Sequence, residues 1–464
     1  MGSDRRGTGR GMNVTFLQEL FSTITERGRG LLTVAPQRHG MDYVAELCRA
    51  LLSGRGEASG MALASEIVTA YAALDAAERL RFFELLKEEF GPDRTRLREA
   101  ARRYLASDKV EDERALLAAA EPKRQRLLRL LNLAPGNTAK LVAMRTDLLP
   151  LLRERPELAE VDEDFAHLFG SWFNRGFLVM RRIDWSTSAS ILERIIRYEQ
   201  VHEINGWDDL RRRIDPIDRR CYAFFHPALV DEPLIFVEVA LTRDIPTAVA
   251  PLLAEAREIV PPSEQTTAVF YSISNTQDGL RGVSFGNFLI KQVADDLKRE
   301  IPTLRTFVTL SPVPGFAAWL AAERASPASD ALQDVDPDEL ALLDEPDWAA
   351  DPDKAERLRE ALLPVAAYYF LKAKNRAGRP VDPVARFHLG NGARLERLDW
   401  LGDTSRKGLR QSHGLMVNYL YALPDIERNH EAYSNDGVIA ASPAVRALLK
   451  SEPPRGRARL RSSF

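Results

Sequence analysis

Three stretches of the chain carry residue types that could do chemistry. In the first, Gly279, Gly282 and Gly286 fall within eight residues, directly ahead of a helical pattern. The preceding run, Thr267–Ser274, is apolar and aromatic with β-formers at its edges, and reads as a buried strand. A strand-to-helix turn of this kind aims backbone N–H groups and the positive helix end at one point, which suits a phosphate. A tight bend needing positive φ would explain the glycines as well. No Lys-Ser or Lys-Thr follows Gly286, and the third glycine of a dinucleotide fingerprint is missing, so neither of those phosphate loops fits.

The second stretch is Leu310–Phe316, where Ser311 ends a strand pattern and Pro312 and Pro314 turn the chain away. Strand C-termini in open α/β sheets are where ligands bind. No G-x-S-x-G surrounds Ser311, so it is not a hydrolase nucleophile of that type, and it could simply open the Pro turn. The third stretch holds His388 between Pro383 and the Asn391-Gly392 turn. A strand edge is the expected setting, with the imidazole facing a cleft. With an ordinary pKa of ~6.5 it could give or take a proton, although a hydrogen-bonded structural histidine fits the same pattern. Ser272 and Ser274 alternate within the strand ahead of the glycines, and Tyr421 could supply a phenol. The seven histidines show no HExxH or similar spacing, so no metal site is expected.

These groups need a scaffold. The chain has 464 residues, enough for two or more domains, with 45% apolar and 28% charged residues, the profile of a globular protein. A net charge of −3 gives no general attraction to nucleic acid or anionic membrane, so neither is an expected partner. Cys48 and Cys221 form no zinc, CxxC or disulfide pattern, which points to a reducing compartment. No apolar run reaches membrane-spanning length, and the Gly/Arg-rich start lacks the apolar core of a secretory signal. A cytoplasmic location is expected.

Residues 1–15 read as disordered and 16–168 as almost wholly helical, with stripes such as Leu80, Phe83, Leu86 or Lys87, and Phe90 facing a core. No catalytic constellation falls in this half, whose plainest role is packing or oligomerisation. From 169 to 464 strand runs at 220–227, 233–241, 267–274 and 306–316 alternate with helix, the mark of an α/β layer. The acidic stretch near 330–360 reads as a solvated helical insertion, and the segment ahead of the C-terminus as a basic tail.

The words PLIFVEVALT (233–242), VFYSISNTQDGLRGVSFGNFLIK (269–291), LSPVPGF (310–316), KNRAGRPVDPVARFHLGNGA (374–393) and GLMVNYLYAL (414–423), in this order, resemble the malonyl-CoA decarboxylase family. The resemblance implies a helical oligomerisation domain followed by a GNAT-like acyltransferase fold, homotetramers, and malonyl-CoA as substrate. The thioester would serve as its own electron sink, so no cofactor is expected beyond the coenzyme A carried by the substrate. By position, Ser311 and His388 match the family's catalytic Ser and His and would contact substrate, while Ser272 and Tyr421 match assisting polar residues. Arg281, Gly282, Val283, Ser284, Phe285, Gly286 and Asn287 match the segment that holds the coenzyme A pyrophosphate. Animal relatives carry Glu where this chain has Ser284, so the function of that carboxylate is absent or moved here. Two rival readings stay open: a GNAT-type acyltransferase using an amine acceptor, and a non-catalytic CoA-responsive interaction protein.

Overall fold

The computed structural model describes residues 39–54, 56–283 and 289–449. The expected disordered start, the basic tail and Ser284, Phe285, Gly286 and Asn287 of the glycine turn lie outside the described residues. The chain divides into two units: residues 1–179, 225–232 and 277–285, and residues 180–224, 233–276 and 286–464. The helical unit therefore runs past the expected boundary at 168 and takes in two later segments.

The first unit is built from α1 (Met41–Leu52), α2 (Glu57–Ala72), α3 (Ala76–Glu88), α4 (Arg94–Ser107), α5 (Val110–Ala120), α6 (Lys123–Asn132), α7 (Asn137–Leu151) and α8 (Ala159–Trp172). Asp75 and Glu78 start α3 with a reciprocal capping box. The helix then buries Phe82, Phe83 and Leu86, and Tyr71 meets Phe82 edge-on at 5.0 Å. Phe82 is fully buried alongside Phe83 and Leu86, whereas the expected Leu80 is only half-buried. Arg124 on α6 is buried against Asp164 on α8, a charge removed from water with its partner. In contrast, α4 and α5 pack chiefly on each other and leave Leu105, Val110 and Leu117 exposed.

This unit also explains one glycine of the strand-to-helix turn. Arg145 on α7 pairs with Asp162 at 2.7 Å, and its Nη1 donates to the carbonyls of Gly279 (2.9 Å) and Arg281 (2.8 Å). That grip presses Gly279 against the α7 backbone, where a Cβ would stand 2.0 Å from the Val142 carbonyl oxygen. Gly279 is thus a packing glycine. Gly282, with φ +78°, adopts the left-handed conformation that glycine tolerates best, and open space surrounds it.

In the second unit the strands are β1 (Val179–Ile183), β2 (Arg219–Phe225), β3 (Pro233–Thr242), β4 (Thr267–Asn275), β5 (Thr306–Thr309), β6 (Ser311–Pro312), β7 (Arg394–Asp399) and β8 (Met416–Leu420). They form one sheet in the order β1-β2-β3-β4-β5-β8-β6, with β7 also pairing β8. β3 and β4 are antiparallel, β4 and β5 are parallel, and β5, β6 and β7 each run antiparallel to β8. Near-continuous burial along β3 and β4 accounts for their unbroken apolar runs. The parallel pair needs a crossover helix, supplied by α11 (Leu289–Glu300). Other helices are α9 (Ala189–Tyr198) and α10 (Trp207–Ile214) before it, and α12 (Phe316–Arg324), α13 (Pro352–Leu371), α14 (Pro383–Gly390), α15 (Arg406–Ser412) and α16 (Ile426–Asp436) after it.

Two expectations change here. The acidic stretch is not wholly a solvated insertion: it leads into α13, which buries Leu358, Leu362 and Val365, and Asp351 caps that helix. His388 sits on α14 and not on a strand edge. Asp382 accepts the Ala385 N–H at the N-cap and Pro383 opens the first turn, a start signal that outweighs the β-formers around it. Among the described residues no helix is long and apolar enough to cross a membrane.

Replacing Gly279 with Ala drives a Cβ into the α7 backbone, so it is expected to lower stability by about 1–3 kcal/mol, the usual range for overpacking. Thermal unfolding checks this, and an unchanged melting temperature would mean that the turn is not pressed against α7.

Candidate active site

Four elements deliver the site. β5 and β6 place Thr309 and Ser311 on the same side of the chain, two residues apart. Tyr421 follows β8 directly and is fixed by its N–H, which donates to the Phe307 carbonyl at 2.8 Å. α14 brings His388 in its last turn. The helix is held by the Asp382 cap, and Asp382 in turn accepts a hydrogen bond from the Tyr369 hydroxyl at 3.2 Å. The Asn391-Gly392 pair that closes α14 packs tightly, since a Cβ on Gly392 would lie 2.1 Å from the Ile426 carbonyl oxygen.

The result is a buried run of hydrogen bonds. Tyr421 Oη lies 2.8 Å from His388 Nδ1. His388 Nε2 lies 3.1 Å from Ser311 Oγ. Ser311 Oγ donates to Thr309 Oγ1 at 2.9 Å. The His388 ring also stacks on Tyr419, with centroids 4.5 Å apart. Burial drives the Tyr421 phenol well above its ordinary pKa, so it keeps its proton, and among the described residues that proton has His388 Nδ1 as its acceptor. Nδ1 must therefore be bare and the hydrogen must sit on Nε2, facing Ser311. Burial also pushes the His388 pKa down to about 3, so the imidazole is neutral at physiological pH.

Ser311 and His388 open onto a cleft of about 230 Å³, walled by Val201, Ile273, Val384 and Phe387. A neighbouring groove of about 290 Å³ shares Val201, Ile273, Asn275, Pro312 and Val384 with it. A larger groove, about 770 Å³, runs past Asp330, Asp336, Glu339 and Glu360. Its wall is acidic, and neither Ser311 nor His388 lines it, so the smaller cleft is the better candidate for an anionic ligand.

Of the residues expected from sequence, Ser311, His388 and Tyr421 are brought together. Ser272 is buried nearby in the sheet, but its hydroxyl donates to Glu199 Oε2 at 2.7 Å rather than to any of the three. Glu199, just past α9, is the shared acceptor of four donors: Ser272, Ser274 (3.2 Å) and the N–H groups of Val201 (2.7 Å) and His202 (2.8 Å). It ties the cleft wall at Val201 to β4. Arg281, Gly282 and Val283 belong to the helical unit. The Arg281 side chain is 73% exposed and pairs with Asp278 at 3.2 Å, leaving the guanidinium accessible.

The sequence reading missed Thr309, Glu199, Asp382 and the buried Glu238. The Asp-Pro start of α14 was a usable signal for Asp382. Glu238 lies opposite Ser272 on β3, and burial, followed by the charge of Glu199, raises its pKa to about 8, while Arg213 opposes that rise at 3.3 Å. Nothing local marks Thr309 or Glu199. Among the described residues no three His, Cys, Asp or Glu side chains are grouped to hold a metal ion.

Comparison with known proteins follows the same division of the chain. The malonyl-CoA decarboxylase C-terminal domain family matches residues 176–459, and the corresponding N-terminal domain family matches residues 90–173. The mitochondrial malonyl-CoA decarboxylase of Anser anser anser is 35% identical over 418 residues, spanning 83% of this chain and 82% of its own length. The same enzyme of Rattus norvegicus is 34% identical over 422 residues, 83% of this chain and 85% of its own. Crystal structures of malonyl-CoA decarboxylase from Rhodopseudomonas palustris (60% identity, TM-score 0.86) and Agrobacterium vitis (57%, 0.81) each cover 88% of this chain and 100% of their own.

The neutral His388 makes a prediction about stability. In the unfolded chain a histidine takes up a proton near pH ~6.5, whereas in the folded chain His388 does so at about 3. Its contribution is thus fully present above pH ~6.5 and is lost progressively as pH falls toward 3. Between about pH 6.5 and 4.5, urea unfolding of the native protein should weaken more steeply than that of His388→Asn, by about 1.4 kcal/mol per pH unit. Equal slopes would mean that His388 is protonated in the folded state.

Proposed function

We infer that this chain, which belongs to the malonyl-CoA decarboxylase family, converts malonyl-CoA to acetyl-CoA and carbon dioxide as a carboxy-lyase. Family membership along both units carries the reading, and the buried Ser311–His388 pair at the cleft supports it. Cleavage of the bond to the departing carboxylate sends its electron pair toward the thioester carbonyl, forming an enolate. One proton, ultimately from solvent, then completes the methyl group of acetyl-CoA.

The task for the protein is to stabilise negative charge on the thioester oxygen. A neutral imidazole with its hydrogen on Nε2 donates to that oxygen once the oxygen replaces or shares Ser311 Oγ as the acceptor, and Ser311 stands beside it in the cleft. For His388, polarising the carbonyl fits better than handing over the proton. A neutral imidazole that gives up Nε2–H becomes an imidazolate, and the Tyr421 proton behind it is itself held tightly by burial. Ser311 acts by orientation, since its lone pair already receives the His388 hydrogen. Tyr421 fixes the tautomer. Ser272 acts from behind the cleft through Glu199, which holds Val201 in place.

We assign the coenzyme A pyrophosphate to the segment 281–287, with the exposed Arg281 guanidinium as a charged contact. No prosthetic group is needed, because the thioester accepts the electron pair. Cytoplasmic residence agrees with Cys48 and Cys221, both buried free thiols. The helical unit is the assembly surface, where α4 and α5 expose Leu105, Val110 and Leu117, and homotetramers are the expected state.

Incubation with malonyl-CoA alone tests the reading: acetyl-CoA and carbon dioxide should appear without any amine acceptor. A requirement for an acceptor would favour an acyltransferase, and binding without turnover would leave an interaction protein. Loss of one fixed donor lowers turnover by roughly 10²–10³-fold in comparable sites, so His388→Asn should show a fall of that size while calorimetric CoA affinity holds. Ser311→Ala should lower turnover and also raise KM for malonyl-CoA, and Arg281→Ala should raise KM with kcat nearly unchanged. A His388→Asn enzyme of near-normal turnover would leave that histidine structural.

The assembly assignment has its own check. The double substitution Leu105→Glu and Leu117→Glu should reduce the particle mass seen by light scattering while the circular dichroism spectrum is retained. An unchanged mass would place the assembly surface elsewhere.

A further inference from the structure

We propose that Thr309 is a positioning residue for this reaction: its hydroxyl accepts the Ser311 proton and so sets the direction in which Tyr421, His388 and Ser311 donate. The proposal rests on the roles assigned above to Ser311 and His388.

The backbone explains why a threonine stands there. β5 and β6 keep one register against β8, with Val308 opposite Leu420, Ser311 opposite Val417 and Pro312 opposite Met416. On that register Thr309 faces Tyr419, and there the main-chain ladder is interrupted. The Leu310 N–H leaves for β4 and donates to the Phe270 carbonyl at 3.0 Å. The Tyr419 N–H donates instead to the Thr309 hydroxyl at 3.2 Å, and the Thr309 carbonyl accepts from Asn418 Nδ2 at 2.9 Å. Side chains thus stand in for the missing main-chain partners at the break.

The same hydroxyl also receives Ser311 Oγ–H at 2.9 Å. A hydroxyl oxygen has two lone pairs, and here Tyr419 and Ser311 take both. The Ser311 proton is therefore drawn away from His388, and the Ser311 oxygen is free to receive Nε2–H. The reverse arrangement would turn the Ser311 proton onto a bare Nε2 and place the imidazole hydrogen on Nδ1. It would then strand the Tyr421 proton without its acceptor in a buried place. Thr309 at one end and Tyr421 at the other exclude that arrangement together, and each is fully enclosed. A bound thioester oxygen that replaces or shares Ser311 Oγ as the acceptor at Nε2 then meets a hydrogen already on that nitrogen, with no change of tautomer needed.

Two measurements decide the matter. In the free, full-length protein, ¹⁵N NMR of the His388 ring should show the Nε2–H tautomer; the Nδ1–H tautomer would overturn the proposal whatever the enzyme turns over, and without need of any variant. The nearly isosteric Thr309→Val keeps the shape but removes the acceptor. It should lower kcat roughly tenfold, about what one lost neutral hydrogen bond amounts to, with CoA affinity unchanged and with His388 moving toward Nδ1–H. Thr309→Ser, which restores the hydroxyl, should keep kcat within about threefold, less than the loss of one such bond. A Val variant with full turnover and an unmoved tautomer, or a Ser variant that falls as far as the Val variant, would overturn it. Absence of acetyl-CoA from the wild-type protein would instead count against the decarboxylase reading, while the NMR result would still decide the Thr309 assignment.

Discussion

A buried neutral imidazole must have both of its nitrogens answered, and that requirement organises the second unit of this protein around its cleft. Burying His388 removes water from Nδ1 and Nε2, and an unanswered buried polar atom costs about 1–3 kcal/mol. Tyr421 answers one nitrogen and Ser311 the other. To reach them, a helix end, a strand end and an interrupted strand must converge. The Asp382 cap sets where α14 begins, the pairing of β8 with β5 and β6 sets Tyr421 and Ser311, and the Gly392 turn lets α14 end against Ile426.

A second layer of buried charge holds the wall of the cleft. Arg213 donates to Asp209, to Glu238 and to the carbonyls of His202 and Glu203, while Glu199 collects four donors around Val201. Ions withdrawn from water are unfavourable unless they are paired and hydrogen-bonded. The arrangement is therefore geometrically specific, and it turns an irregular stretch of chain into a fixed surface beside β4. Ser272 belongs to this layer. Its side chain reaches the cleft indirectly, through Glu199 and the main chain of Val201.

Much of the fold was legible in the sequence, because periodicity and caps are local. The strands at 233–242 and 267–275 and the capped helix ending near Phe90 appear where the pattern places them. His388 was legible as a residue of interest but not as a helical one, since Val384 and Phe387 suit a strand as well as a helix, and the Asp-Pro start was the deciding signal. Gly279 was legible as a glycine that mattered, but its reason, the α7 backbone pressed against it by Arg145, depends on residues more than a hundred positions away. Thr309 and Glu199 left no mark at all. Their importance arises from where a strand breaks and where a helix ends, and neither is a property of neighbouring residues.

The neutrality of His388 bears on why such a site suits a thioester enolate. An imidazolium would offer a stronger attraction, but it would attract the malonyl carboxylate of the ground state as well as the enolate, and interactions made equally in both states do not raise kcat. A neutral N–H donor is more selective by position: it favours whichever oxygen sits at its tip, and charge arrives on the thioester oxygen only as the carbon–carbon bond breaks. The apolar walls at Val201, Ile273, Val384 and Phe387 sharpen the difference. In a low-dielectric cleft a carboxylate is poorly solvated, which favours its departure as uncharged carbon dioxide, while the same low dielectric strengthens each fixed donor aimed at the new oxyanion. In the proposed role, burial of His388 serves both ends of the reaction at once: it keeps the imidazole from competing for the carboxylate and leaves it in the protonation state that can receive the enolate.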